Sequence, residues 1–360
     1  MYVSHEPCYT CIYFIISTQK GEGMASQIKN LVFEGGGILG ISYLGVLDYL
    51  YRSGRMQGLQ RVAGTSAGAI TACITSFQLP FEQIESIAAS LDYKKIPERT
   101  EINELKLIPE EIKVQIDDLF GDINCIYRLI HEYGWFSTEY FYKWIQKVIA
   151  DQFDIRKKRP PYTFADFKNT NFHKDNRAFY DLYIVGTDLS MKATRVFSFE
   201  TTPLMEVAMA VRISMSIPLF FESVKLETVA VDGASRNNIF CDGGLLNNYP
   251  LNLFDKPKYN PNLYYGVNME TLGVRFMQQL KDKEIDCLLT YIESLLHAAS
   301  YVQQGIYDSN VLNKERSIVV NTQNISPVDF SVTANDEKYW FLYMQGYNAA
   351  KNYFRYKRQS

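Results

Sequence analysis

In Gly64-Thr65-Ser66-Ala67-Gly68 a serine stands between two glycines, just after the apolar segment Arg61-Val62-Ala63 and just before a helix-like run at 69–74. A serine at a tight strand-to-helix turn projects its hydroxyl away from the backbone, as a nucleophile requires. Glycine is needed on both sides because side chains there would meet neighbouring backbone or force strained dihedrals. Ser66 is therefore a candidate for covalent chemistry, although a motif this short also occurs as an ordinary Ser/Gly turn.

Such a serine needs a base for its proton and donors for the oxyanion that forms on its substrate. Gly35-Gly36-Gly37-Ile38-Leu39-Gly40 lies between a strand-like run at 28–33 and a helix-like run at 38–51, and it satisfies the dinucleotide fingerprint G-x-G-x-x-G. That fingerprint requires an acid about 20 residues further on, at the end of the second strand. No Asp or Glu lies between Asp48 and Glu82, and the second strand ends in Ser66 instead. The glycines then serve tight packing alone, or they present free backbone N–H groups and the positive end of a helix dipole to a developing oxyanion.

Histidine is the usual base, and the chain has His5, His131, His173 and His297. None stands in a turn suited to a Ser-His-Asp triad. Two aspartates do stand at glycine turns. Asp232-Gly233-Ala234 is followed by polar residues between two strand-like runs and reads as a hairpin turn. Asp242-Gly243-Gly244 follows a strand, and its glycines permit close approach by another loop. Asp242 is the expected proton acceptor, with an Asx-type turn residue as the structural alternative.

The elements that must position these groups begin as strand, helix, strand, turn and helix, a βαβ opening that argues for a parallel sheet covered by helices. Residues 80–160 carry more charge and read mainly as helices, with Phe141, Trp144, Ile145, Val148 and Ile149 on one amphipathic face; their place in the chain suggests a cap over the site. Further strands are expected at 180–185, 195–199, 239–241, 263–267 and 317–320, with helices at 205–214, 288–302 and 339–354. Residues 1–25 read as an N-terminal extension, poorly ordered, and 26–360 as a single domain.

A hydrophobic share of 47% with 21% charged residues fits a globular protein, and a net charge of -3 provides no basic field for nucleic acid. The 26 Tyr and 22 Phe imply a large aromatic core or a surface that works at an apolar interface. Six cysteines scattered along the chain favour a reducing, cytoplasmic setting, and Cys8-x-x-Cys11 lacks the second pair of a zinc site. The early apolar run at 11–16 is far shorter than the ~20 residues of a transmembrane span and lacks the basic flank of a secretory signal. Arg156-Lys157-Lys158-Arg159 precedes two prolines and reads as a solvated loop, with a membrane-contact patch as the alternative.

Together, the loop at 35–40, the motif at 64–68 and Asp242-Gly243-Gly244 with Asn248 and Pro250 resemble the patatin-like phospholipase family, and the resemblance extends over most of 28–350. Thr187-Asp188-Leu189 and the run at 214–220 look like family segments too. The resemblance implies an α/β fold with a central, largely parallel sheet covered by helices on both faces and a helical insertion around 80–160. It also implies a Ser-Asp dyad of Ser66 and Asp242. Backbone amides of Gly35, Gly36, Gly37 and Ala67 would form the oxyanion hole, with Gly40, Gly64, Gly68, Gly243 and Gly244 as motif glycines. No metal or cofactor is implied, and the implied partner is a phospholipid or other acyl-ester lipid at a peripheral membrane surface. Leu39 departs from the Arg or Lys common in the family's glycine loop, which removes a local positive charge. A non-catalytic lipid-binding or scaffold protein with the same fold is the competing reading.

Overall fold

In the computed structural model, residues 27–99, 105, 112–114, 122–229, 233–277, 284–286, 288–323 and 325–357 are described. The strands are β1 (Asn30–Phe33), β2 (Arg61–Thr65), β3 (Gly134–Phe136), β4 (Asp181–Asp188), β5 (Ala193–Ser198), β6 (Leu219–Phe221), β7 (Val224–Val229), β8 (Ser235–Asp242), β9 (Thr271–Phe276) and β10 (Ser317–Val320). The principal helices are α1 (Ile41–Arg52), α2 (Ala67–Ser76), α3 (Phe81–Ala89), α4 (Ile123–His131), α5 (Glu139–Ala150), α6 (Val207–Met215), α7 (Leu288–Asp308) and α8 (Glu337–Tyr356).

The main sheet runs β10-β9-β1-β2-β4-β8-β7, and β5 is also paired with β4. From β10 to β4 all neighbours are parallel. The β4–β8, β7–β8 and β4–β5 pairs are antiparallel, and β3 with β6 forms a separate small parallel pair. Both faces are covered, as the apolar strands require. Leu31, Phe33 and Val62 enter the larger core, while the alternate residues Val32 and Ala63 enter a second core with Tyr183, Tyr249, Leu251 and Phe254.

Most of the expected elements are present; the hairpin turn expected at Asp232 falls on residues outside the described ones. The expected strand at 263–267 is a correction. Tyr264 and Val267 close a short turn by exchanging backbone hydrogen bonds, and the neighbouring strand is β9. All six residues of β9 are buried between β1 and β10, and this register with two neighbours outweighs the local β propensity of 263–267.

Packing of α1 against α8 relies on two glycines. A Cβ at Gly45 would stand 1.9 Å from the carbonyl oxygen of Tyr343, and one at Gly346 would stand 1.8 Å from that of Ser42. Gly305 in α7 has no atom within 4 Å of the corresponding position. We expect Gly346→Ala to destabilise the fold by about 2 kcal/mol or more through forced separation of the helices. Gly305→Ala should stabilise it by roughly 0.5–1 kcal/mol. Urea unfolding midpoints would check this, and a Gly346→Ala midpoint at or above that of the native chain would contradict the packing account.

Candidate active site

The turn at Ser66 is built by close backbone approach. A Cβ on Gly64 would lie 2.1 Å from the Gly68 carbonyl oxygen, and one on Gly68 would lie 2.4 Å from that of Phe33. Ser66 itself has φ 53° and ψ -125°, a strained conformation for a residue with a side chain. Its N–H donates to Ser214 Oγ at 2.9 Å, and the Ser214 hydroxyl donates to the Val185 carbonyl at 2.5 Å. Ser214, at the end of α6, thus clamps the strained turn to β4.

Strand register brings Asp242 to this turn. Thr65 of β2 pairs with Val185, and Asp242 of β8 pairs with the next residue, Gly186. Because β5 occupies the opposite edge of β4 over Gly186–Asp188, β2 and β8 must approach the same edge from opposite directions and end beside each other. Thr65 Oγ1 donates to the Asn247 carbonyl at 3.0 Å, and the Asp242 N–H donates to the Ser216 carbonyl at 2.8 Å, which fixes this meeting point.

The Asp242 carboxyl accepts the Gly244 N–H at 2.7 Å, and the neighbouring Ser66 side chain favours its ionised form. Asp242 is 4% exposed and Ser66 is 6% exposed. Burial pushes Asp242 up to about 7, against the opposing effect of Ser66 and the Gly244 N–H. Among the described residues the backbone amides of Gly36, Gly37 and Ala67 have no hydrogen-bond partner, and Ala67 opens α2 with the positive end of its dipole. The expectation for Gly35 is corrected here: its N–H donates to the Asn248 carbonyl at 2.9 Å, so it is already paired. Asn248 Nδ2 also donates to the Gly35 carbonyl at 3.1 Å. A hydroxyl beside a buried carboxyl, with unpaired amides near it, is a set of groups that can carry nucleophilic acyl transfer.

Gly36, Gly37, Ser66 and Asp242 line a cavity of about 620 Å³. Its walls include Leu39, Phe276, Leu296, His297 and the loop around Pro327, whereas none of the described residues of 80–160 reaches it. α7 with Thr322, Gln323 and Ile325–Val328 forms the wall, and the cap expected of 80–160 falls in part on residues outside the described ones. The apolar residues of α3 and α5 are spent in the core, with Phe81, Ile84, Phe141, Ile145 and Val148 buried.

The histidines are placed elsewhere or at the rim. His173 is buried with its ring stacked on Phe179, and its nitrogens contact the carbonyls of Arg177 and Asp166. His131 stacks on Tyr127, while His297 lines the cavity with Nε2 4.0 Å from Glu293. His5 lies outside the described residues. In the basic loop, Arg156 pairs with Asp154 and Lys158 with Asp166.

Glu34 was legible in the sequence only as the end of a strand. It lines the cavity at 1% exposure and accepts the Phe276 N–H at 2.7 Å and Gln304 Nε2 at 2.9 Å. Burial pushes its carboxyl up to about 7 as well.

Residues 31–255 match the model of the Patatin-like phospholipase family. The chain belongs to this family. It is 25% identical over 328 residues to an uncharacterised protein of Acanthamoeba polyphaga mimivirus, covering 88% of this chain and 91% of that one. It is 24% identical over 226 residues to "Probable lipid hydrolase 463L" of invertebrate iridescent virus 6, covering 62% of each. Among solved structures, VipD of Legionella pneumophila shares the fold with a TM-score of 0.52 at 19% identity, over 91% of this chain and 67% of that one. Among the described residues of this family member, no helix is long and apolar enough to cross a membrane.

A carboxyl raised from 3.8 to about 7 by burial favours the folded state while it is protonated, and this advantage is lost as pH rises from about 4 through about 7. Asp242→Asn removes the ionisation. It should therefore stabilise the fold at pH 8 by on the order of 1–4 kcal/mol, with a smaller gain at pH 4. Denaturant melts at the two pH values would check this; a gain that is equal at both, or larger at pH 4, would contradict the buried-carboxyl account.

Proposed function

We propose that the chain is a lipid acyl hydrolase that cleaves fatty-acyl esters of phospholipids through Ser66 and Asp242. The observation that carries this reading is the meeting of β2 and β8 on β4, which sets the Ser66 hydroxyl against a buried carboxyl at the wall of a cavity. Membership of the family and the likeness to a viral protein named as a lipid hydrolase support it.

In the proposed reaction Ser66 Oγ forms a bond to the ester carbonyl carbon while its proton passes to Asp242. The carbonyl oxygen, now negative, is held by the amides of Gly36, Gly37 and Ala67. Collapse of this intermediate breaks the bond to the alcohol oxygen, which takes the proton from Asp242. Water then attacks the acyl-enzyme, gives a proton to Asp242, and releases the fatty acid as the proton returns to Ser66. A pKa near 7 suits this duty because the carboxyl can both accept and return a proton at neutral pH.

Leu39 is buried and lines the cavity, so the glycine loop offers van der Waals contact to an acyl chain and no charge to a phosphate. The strained Ser66 beside the buried Asp242 carboxyl argues against a purely lipid-binding role, which would require neither feature.

Fatty-acid release from phosphatidylcholine vesicles and from a soluble short-chain ester tests the reading. Ser66→Ala and Asp242→Asn should each lower turnover by at least about 10³-fold on both substrates. Equal activity in all three proteins would refute the dyad. Asp242 must be ionised to act as a base, so kcat/KM of the native chain should rise with pH through about 7. Glu34→Gln should keep this ascending limb at reduced height, and loss of the limb in that variant would move the base to Glu34.

A further inference from the structure

We propose that Gln303 and Gln304, adjacent residues of α7, are positioning residues that brace the glycine loop against the Asp242 loop, which makes α7 a working part of the site. The inference rests on the hydrolase reading above and extends it to a helix beyond the segment 31–255 that matches the family model.

The two side chains reach different loops, Gln303 the turn after Asp242 and Gln304 the residue before the glycine loop. Gln303 Oε1 accepts the Asn248 N–H at 2.7 Å, and its Nε2 donates to the carbonyls of Gly244 and Leu245 at 3.0 and 3.2 Å. One amide thus ties down the turn that follows Asp242, including the residue whose N–H binds the Asp242 carboxyl. Gln304 Nε2 donates to Glu34 Oε1 at 2.9 Å and contacts the Phe276 carbonyl at 3.4 Å. Glu34 adjoins the glycine loop, and its other oxygen accepts the Phe276 N–H.

Asn248 closes the circuit. Its Nδ2 donates to Glu34 Oε1 at 3.3 Å, and its backbone and side chain bind both polar backbone groups of Gly35. The distance between the unpaired amides of Gly36 and Gly37 and the Ser66–Asp242 pair is therefore set through Gln303, Gln304, Glu34 and Asn248. Gln304 is buried, so its amide cannot exchange these partners for water, and losing it leaves a buried carboxyl short of a donor. A displacement of about 1 Å between nucleophile and oxyanion donors can cost ~10²-fold in rate. An error of that kind lowers kcat while leaving ground-state binding in place.

The test compares the native chain, Gln303→Met, Gln304→Met, Glu34→Gln and the exchanged pair Glu34→Gln/Gln304→Glu, with Ser66→Ala as the blank. The readouts are kcat and KM on a soluble short-chain ester, the rate of Ser66 labelling by a fluorophosphonate, and the thermal midpoint. Each methionine variant should lose at least about tenfold in kcat and in labelling rate, with KM changed by less than about twofold. The exchanged pair restores a donor and an acceptor in reversed order and should recover at least about half of the logarithmic loss seen in Gln304→Met. Native kcat and labelling rates in both folded methionine variants would overturn the positioning role. So would a loss that follows the thermal midpoint with no recovery in the exchanged pair. A native chain whose turnover and labelling match Ser66→Ala would instead overturn the hydrolase reading, and the positioning role with it.

Discussion

The meeting of two strands on one edge of β4 is the constraint on which the site depends. β2 runs out at Thr65 opposite Val185, and β8 arrives from the other direction to end at Asp242 opposite Gly186. A shift of one residue in either register would turn the side chains beyond it to the opposite face and separate the hydroxyl from the carboxyl. Several side chains secure this point: Ser214 bridges the Ser66 amide and the Val185 carbonyl, and Thr65 holds the Asn247 carbonyl. The strain at Ser66 persists because these contacts and the close packing of Gly64 and Gly68 leave the turn no alternative path.

Burial supplies the electrostatics. Asp242 is removed from water by the same strand ends that bring it to Ser66, and its proton affinity rises to a value suited to exchange at neutral pH. Stability is lost to this arrangement, since an exposed aspartate would ionise freely. Glu34 carries the same burden after β1, where its hydrogen bonds to Phe276, Gln304 and Asn248 organise the approach to the glycine loop. Two carboxyls thus have distinct settings: one stands beside the serine, the other is bonded to the frame.

The parts of the site that could be read from the chain are those in which a few adjacent residues carry the signal. The glycines around Ser66, the missing acid after the glycine loop and the turn at Asp242 are of this kind. Ser214, Gln303 and Gln304 carry no local pattern, because a serine near a helix end and a pair of glutamines within a helix are ordinary until their partners are known. Gly35 was assigned as a donor on its place in the loop, but its amide is used by Asn248, more than two hundred residues away. The helices at Phe81–Ala89 and Glu139–Ala150 carry a related lesson: amphipathic spacing shows that a helix buries one face without showing against what.

The sequence by itself determined the strand-turn-helix at Ser66 and the parallel βαβ opening, because steric limits and the spacing of apolar residues act within a few positions. Tertiary structure alone decided that Asp242 comes to the same cavity as Ser66, that α7 walls that cavity, and which amides remain free among the described residues. Those outcomes follow from strand register and hydrogen-bond competition between segments remote in the chain, where the energy of each pairing depends on every other pairing already made.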